Sequence, residues 1–298
     1  MPELSVVIPT LNRGKLFHDT ARQVLEQAHS DFDFWVVDQS DGPERVANEA
    51  FVAQLNDPRL RYVHLDRKGL PNARNEALAR LDCRLVLFLD DDVVLLEPGF
   101  LAAHVRAFDD PAVGGATGRI VERSVRPNVD YVAAHLSRSG RTLTNQWGTS
   151  SQDIQGLKGA NMSYRFTAVN QVGGFDRNYI GTALLEDSDY SHRIGRAGWR
   201  LRYQADAELV HLSAQSGGVR VEDALRGERW RFRNTAYFVR RHRGAAGVAR
   251  FWPTFLAIAA RRALEWKNPA AVGELVAAAR EGLLAAAGPA DTALPGVR

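Results

Sequence analysis

The sequence predicts an α/β fold: a mainly parallel, mixed sheet with helices on both faces, followed by a helical C-terminal arm. Three features say so. Short β-branched runs alternate with amphipathic segments, the links between them are brief, and Leu85-Val86-Leu87-Phe88-Leu89 is apolar without alternation. An unbroken apolar run bounded by charge is the mark of a strand covered on both sides. Strand and helix in alternation build right-handed crossovers.

The elements follow in order. Leu4-Ser5-Val6-Val7-Ile8 is a first strand stopped by Pro9, with Thr10, Leu11 and Asn12 as the loop at its carboxyl end. Phe17, Ala21, Val24, Leu25 and Ala28 recur at helical spacing and predict a helix over 15–28. Phe34 to Val37 is the second strand, ending in Asp38-Gln39-Ser40-Asp41-Gly42. A helix over 47–55, a turn at Asn56-Asp57-Pro58, a strand over 60–65 and a helix over 70–81 lead to the apolar strand, which delivers Asp90-Asp91-Asp92. Beyond it come a helix over 97–108, a glycine-led strand over 112–121, a helix from Glu186 to about 197, and strand-like pieces at 199–203 and 207–212. Residues 123–151 hold Tyr131, His135 and Trp147 without sustained periodicity and read as a variable loop region over an acceptor site. The expected domains are 1–220 (divided at 122/123), a basic helical arm over 221–285, and a flexible tail over 286–298.

The chain has 298 residues, 45% of them hydrophobic, enough for one large domain with an appendix. Cys83 is the single cysteine, so no internal disulfide forms, and a reducing compartment is expected. The strand pattern begins almost at Met1 and no apolar run reaches the ~20 residues that span a bilayer. The expectation is a cytoplasmic protein, soluble or peripheral on the inner membrane surface. Basic and aromatic residues mix in the arm, but a net charge of +3 and the lack of a matching motif exclude nucleic acid as a partner.

Every strand empties polar residues onto one rim, where open α/β sheets bind ligands. Two carboxylates ~4 Å apart repel by roughly 4 kcal/mol at an effective dielectric near 20. A divalent cation beside the Asp triplet would remove that cost, and oxygen ligands suit Mg²⁺ or Mn²⁺. The plainer alternative is a solvated turn capping the next helix. Arg67-Lys68-Gly69, leading into Pro71-Asn72-Ala73-Arg74-Asn75, places a basic loop at a helix start, a good seat for phosphate oxygens. No Walker loop and no Gly-x-Gly-x-x-Gly follows the first strand, which argues against a P-loop NTPase or a dinucleotide enzyme. The sum is a nucleotide pocket with its base end at Asp38.

At this point the sequence resembles the inverting family-2 glycosyltransferases of GT-A fold. The matching pieces are Ser5-Val-Val-Ile-Pro-Thr-Leu-Asn12, Val36-Val-Asp38, Gly69-Leu-Pro-Asn-Ala-Arg-Asn75, Asp90-Asp-Asp92, Gly159-Ala-Asn-Met162, Gly173-Gly-Phe-Asp176 and Glu186-Asp187. Each is short; seven in the family's order form a specific signal. The resemblance implies a nucleotide-sugar donor (UDP, GDP or dTDP), a divalent metal, and transfer to a hydroxyl of a glycan or lipid-linked acceptor. It places the donor among Pro9, Thr10, Asn12, Asp38, Gln39, Lys68, Gly69, Asn72, Arg74, Asn75, Asp90, Asp91 and Asn161, and the metal on Asp90, Asp92 and His211. Family members usually carry a second acid after Asp38; here it is Gln39, which puts the base identity in question.

Displacement at an anomeric carbon needs a carboxylate to take the acceptor's proton. By the family's pattern that base is Asp187, with Glu186 as the fallback, although acids in a first helical turn also serve as plain dipole partners. Asp176 and Asp189 are expected to order structure. Ser213 to Gly218, small and polar, reads as a lid over the diphosphate. In the arm, Arg226-Gly-Glu-Arg229-Trp230 departs at its first residue from the Gln-x-x-Arg-Trp of processive synthases. Trp147, Arg229, Trp230 and Arg233 are candidates for the acceptor or diphosphate. A helix over 251–260 flanked by Arg250, Arg261, Arg262 and Lys267 suits either an anionic bilayer surface or packing on the core. Two other readings stay open: a sugar-1-phosphate nucleotidyltransferase, which would need a triphosphate loop that 9–14 does not supply, and a noncatalytic sugar-nucleotide or membrane-surface binding protein.

Overall fold

The computed structural model describes residues 1–122, 133–136, 142–214, 216–219, 221 and 223–296, with 133–136 and 142–145 as backbone. The N-terminal half alternates β1 (Leu4–Thr10), α1 (Lys15–Leu25), β2 (Phe32–Asp38), α2 (Gly42–Leu55), β3 (Leu60–His64), α3 (Leu70–Leu78) and β4 (Leu85–Leu89). Strands β1, β2, β3 and β4 pair in parallel, in the order β3-β2-β1-β4. Every residue of β1 and β4 is buried, as the absence of alternation predicts. Their side chains feed two cores. Leu4, Val6, Ile8 and Leu87 meet Phe17, Ala21 and Val24 of α1 on one face. Val7, Val86 and Phe88 meet Ala73 and Ala77 of α3 on the other. The register Thr10↔Asp38 makes β1 and β2 end together, so their loops share one rim.

The second half adds β5 (Val93–Leu95), α4 (Phe100–Arg106), β6 (Val113–Glu122), a hairpin of β7 (Ala133–Leu136) and β8 (Thr142–Asn145), β9 (Gln152–Ile154), β10 (Asn161–Arg165), α5 (Phe166–Val172), α6 (Glu186–Arg196) and β11 (Arg200–His211). Strand β10 inserts antiparallel between β4 and β6, and β11 continues the sheet beside β6 in parallel. Residues 123–151, read as one aperiodic loop, thus contain the β7–β8 hairpin; Tyr131 and the His135 side chain lie outside the described residues. The two strand pieces expected at 199–212 are one strand, β11, whose register against β6 shifts between Gln204 and Leu209. Asp206 and Glu208 fall within that irregularity, and the pairing with β6 resumes at Leu209.

The arm consists of α7 (Ala224–Glu265), kinked at Gly244, whose φ of 62° and ψ of −162° are not helical, and α8 (Ala271–Ala285). Asp223 caps α7 by accepting from the Arg226 N–H at 2.8 Å. Phe232, Phe251, Phe255, Leu275 and Ala278 form a third core inside the arm. The arm is tied to the sheet domain by His242 to Asp189 (2.8 Å), by the Arg233 guanidinium on the Asn178 carbonyl and by the Tyr237 hydroxyl on Asp176. Residues beyond α8, where the composition suggests a frayed end, run back along the loop after α5. There Thr292 accepts from Gly174 N–H (2.8 Å), Asp291 accepts from Arg177 N–H (2.9 Å), and Leu294 packs on the second core. No helix among the described residues is long and apolar enough to cross a membrane.

Candidate active site

Strand β4 carries Asp90, Asp91 and Asp92 to the rim, and they diverge there as alternate residues of an extended chain do. Asp90 and Asp92 face His211, at 3.7 and 3.2 Å from its Nε2. Asp91 turns the other way, accepting from the Thr10 hydroxyl at 2.7 Å and lying 3.3 Å from Arg13 Nε. His211 arrives by sheet pairing: β5 runs antiparallel to β11 with His211 opposite Val93, one residue past Asp92. The Leu212 N–H then donates to the Asp92 carbonyl (2.9 Å) and the Ala214 N–H to Asp92 Oδ2 (2.8 Å).

One ligand atom from each of Asp90, Asp92 and His211 lies within 4.8 Å of the others. Two carboxylates and an imidazole converging on a partly open corner fit a divalent cation such as Mn²⁺. Burial raises Asp90 above the usual carboxylate value, against the pull of His211 and Arg74. For Asp92 burial is outweighed by His211 and the Ala214 N–H, and its carboxyl sits below the usual value. Burial pulls His211 down, but its bond to Asp92 and the charge of Asp90 raise it overall. Asp91, buried beneath the corner, is pushed up to about 7, chiefly by desolvation.

Arg13 was not among the residues the sequence singled out. It bridges Asp91 and Asp92 (3.5 Å from Asp92 Oδ2) and donates to the Ser216 carbonyl at 2.8 Å. Gly218 N–H donates to the Leu11 carbonyl at 2.7 Å, so the glycine-rich segment after β11 is laid against the loop after β1. Gly217, with φ of +73°, has the Asn12 carbonyl oxygen 2.2 Å from where a Cβ would stand. A signal existed in the sequence, namely a charged residue in the first loop on the ligand side of the sheet, but nothing there told Arg13 from its neighbours.

Arg74 lies fully under the site. Its guanidinium pairs with Glu186 Oε1, donates to the Gly159 carbonyl at 3.2 Å, reaches 4.0 Å from Asp90 and stacks over Phe175 with its centre 5.1 Å from the ring centroid. Burial, together with the Asp187 charge and against the attraction of Arg74, pushes the Glu186 carboxyl up to about 8. Asp187 is half-buried and accepts from Gly159 N–H at 2.9 Å and Ser188 N–H at 2.6 Å. Gly159 presses close here: a Cβ on it would stand 3.1 Å from Arg74 and 3.4 Å from both acids. The same contacts therefore join Asp90, Arg74, Gly159, Glu186 and Asp187.

Farther along the rim Asp38 is fully buried, accepting from Ser40 N–H (2.7 Å), Tyr62 OH (2.8 Å) and Asn48 Nδ2 (2.9 Å). Gln39 Nε2 donates to the Arg67 and Gly69 carbonyls at 2.6 and 3.3 Å. Lys68 pairs with Asp41, and Asn72 Nδ2 donates to the Lys68 carbonyl at 2.7 Å. Asn12 N–H donates to Ser40 Oγ at 2.7 Å. Asn75 clamps Phe175, donating to its carbonyl (2.8 Å) and accepting from its N–H (2.7 Å). Asn161 is buried between His104 (2.7 Å) and the Ala207 carbonyl (2.9 Å), with its side chain spent on the sheet. The arm's candidates stand apart from the metal corner's contacts. Arg229 lies 3.6 Å from Glu274, Trp230 packs on Gly181, and Arg233 is buried between Asn178 and Glu281. Trp147 accepts from Arg119 through its carbonyl at 2.8 Å. Asp176 and Asp189 hold structure: Asp176 takes N–H groups of Asn178 and Asp291, Asp189 takes His242 and Arg193.

The sequence profile of glycosyl transferase family 2 matches residues 5–173, more than half of the chain. This chain belongs to that family. Among curated family relatives, the O-antigen chain rhamnosyltransferase RfbN of Salmonella typhimurium is 24% identical over 219 residues, covering 70% of this chain and 66% of that protein. The N-acetylglucosaminyl-diphospho-decaprenol L-rhamnosyltransferase of Mycobacterium tuberculosis is 39% identical over 156 residues, 44% of this chain and 50% of that protein. The chain thus spans half to just under two thirds of these relatives. Among solved structures, the mannosyltransferase PcManGT from Pyrobaculum calidifontis, in complex with GDP-Man and Mn²⁺, superposes with a TM-score of 0.62 at 20% identity, covering 95% of this chain and 87% of that one. GalNAc-T7 with UDP, GalNAc and Mn²⁺ gives 0.64 at 14% identity, covering 81% and 48%. The family-2 sheet, expected from the motifs, is the fold observed, GT-A-like with a helical C-terminal region.

Proposed function

We propose that this chain is an inverting, metal-dependent glycosyltransferase that moves a rhamnosyl or related hexosyl unit from a nucleoside-diphosphate sugar to an acceptor hydroxyl. The acceptor is a lipid-linked or cell-surface glycan, met at the cytosolic face of a membrane. One observation carries the reading: the candidate base Asp187 and the metal-binding corner are joined through Gly159, Glu186, Arg74 and Asp90 in one unbroken set of contacts.

A divalent ion on Asp90, Asp92 and His211 would supply the positive charge that a departing diphosphate requires. Asp187, held by the Gly159 and Ser188 N–H groups, takes the acceptor's proton as its oxygen attacks the anomeric carbon from the face opposite the diphosphate. Arg74 beneath keeps the second acid, Glu186, out of the reaction by pairing with it. Gln39 has its amide hydrogens committed to the Arg67 and Gly69 carbonyls, so its free capacity is as an acceptor, suited to the ring N–H of uracil, thymine or guanine. Exposed Leu256 and Leu264 on α7, flanked by Arg250, Arg261 and Lys267, support contact with an anionic leaflet.

Thermal-shift titration of UDP-, GDP- and dTDP-sugars with Mn²⁺ tests the donor, and one nucleotide should stabilise the protein only when the metal is present. Asp187→Asn should lower turnover by about 10²- to 10⁴-fold while donor binding survives. Asp92→Asn and His211→Ala should each weaken Mn²⁺ binding in a direct titration. Unimpaired transfer by Asp187→Asn would sink the base assignment.

A further inference from the structure

A cavity of about 460 Å³ lies between the arm and the loop leading into α6, and Asp90, Asp92 and His211 are not among its walls. Clefts of this size hold small organic ligands. Leu184 and Leu185 form one wall; Phe232, Phe255 and Ile258 form the facing one. The aromatic wall is fixed in shape: the Phe232 and Phe255 rings are 5.4 Å apart, and Phe251 meets Phe255 edge-on at 4.4 Å. Arg231, Arg261 and Arg262 stand at the cavity as well. Glu228 meets Arg262 at 3.0 Å and Arg231 at 3.5 Å, while Glu265 serves Arg261 and Arg262. Three guanidiniums against two carboxylates leave one positive charge over an apolar floor. Arg231 and Arg261 are 60% and 77% exposed, free to turn toward an anion.

We infer that this groove binds the acceptor's carrier: a lipid with a single long apolar chain ending in a phosphate or diphosphate that bears the acceptor sugar. The inference rests on the transferase reading and adds the place where the acceptor is held. Charge and surface complement that amphiphile, with the chain against the leucines and phenylalanines and the phosphate at the arginines. Position favours it too. Leu185 is the residue before α6 and lies two residues, at most about 7 Å of chain, from Asp187. Ala183 and Leu185 both hold left-handed backbone, φ of 53° and 73°, which residues with side chains adopt only when their surroundings enforce it. A chain lodged against Leu185 would add to that enforcement and fix the start of the helix that presents the base. Exposed Leu256 and Leu264 belong to the same helix, α7, that supplies Phe251, Phe255 and Ile258 to the groove.

Farnesyl phosphate serves as the probe, titrated into the full chain by calorimetry beside inorganic phosphate and phosphatidylglycerol vesicles. Wild-type protein should bind farnesyl phosphate at least 10-fold tighter than phosphate. Ile258→Asp, and separately the pair Arg231→Glu with Arg261→Glu, should each weaken that binding at least 10-fold while Mn²⁺-dependent nucleotide binding stays unchanged. All three positions are exposed, so the variants should fold, and an unaltered far-ultraviolet spectrum checks this. Equal binding of the probe and plain phosphate overturns the assignment, as do groove variants that bind as the wild type does. Vesicle binding without probe binding also overturns it, in favour of a bare bilayer contact. Probe binding lost in the groove variants of a protein that transfers no sugar supports the groove and removes only the transferase reading.

Discussion

Arg74 sits where the metal corner and the base meet, and it is 1% exposed. Removing it would leave Glu186 buried without its counter-charge. Breaking a buried pair costs roughly 3–5 kcal/mol, and because the Glu186 carboxyl is already pushed to about 8 it can take a proton and moderate the loss. Arg74→Ala should therefore destabilise by about 3 kcal/mol in urea unfolding, and adding Glu186→Gln should recover part of it. His104 supplies a second test. It is fully buried, bonded to Ser163 Oγ (2.8 Å) and Asn161 Oδ1 (2.7 Å), and burial holds it down to about 4. An unfolded histidine titrates near 6.5, so the unfolded chain takes the proton first. The stability from neutral His104 is complete above pH ~6.5 and is lost as pH falls toward 4, by roughly 3 kcal/mol. His104→Gln should flatten that part of the stability-against-pH curve relative to wild type.

At the scale of elements, the irregularity in β11 organises the sheet's second half. Between Gln204 and Leu209 the strand gains residues against β6, and the Ala207 carbonyl placed there accepts from Asn161 Nδ2. Gly118 makes room: a Cβ there would stand 1.8 Å from that carbonyl oxygen, a backbone atom. Gly118→Ala should cost about 3 kcal/mol or more, or prevent folding. Gly244, at the α7 kink, has open space around it, so Gly244→Ala should cost only backbone strain, about 1–3 kcal/mol, because φ of 62° with ψ of −162° is a conformation nearly confined to glycine. Thermal unfolding of the two variants side by side separates clash from strain. Elements with strong periodicity, β1 through β4 and their helices, were legible within a few residues, except that α2 starts at Gly42 and not at the expected Ala47. Strand β10 was not, because Asn161-Met162-Ser163-Tyr164-Arg165 has neither alternation nor a β-branched run; its burial comes from being flanked by β4 and β6. Asn161, expected at the donor, is for the same reason part of the sheet's internal bonding.

For the molecule as a whole, the chain beyond α8 joins the arm to the sheet domain. Asp291 pairs with Arg177 at 3.0 Å and gives its N–H to Asp176, while Arg241 donates to the Gly288 carbonyl at 2.8 Å. Deleting 288–298 removes these contacts and the Leu294 packing, and should lower the thermal midpoint by about 5 °C. An unchanged midpoint would mean that this stretch contributes nothing to holding the arm.

By itself the sequence determined the parallel half of the sheet, the rim on which polar residues collect, and the Asp triplet as its centre, because apolar periodicity and strand ends are local properties of the chain. It also carried the family, through short motifs in order. Tertiary structure decided what each rim residue does. Asp91 parted from Asp90 and Asp92 because Thr10 at the end of β1 and Arg13 in the loop after it met it, and His211 reached Asp92 through the β5–β11 register. Arg74 joined Glu186 across 112 positions. Such roles depend on which partner arrives from far along the chain, and no local pattern encodes an encounter of that kind.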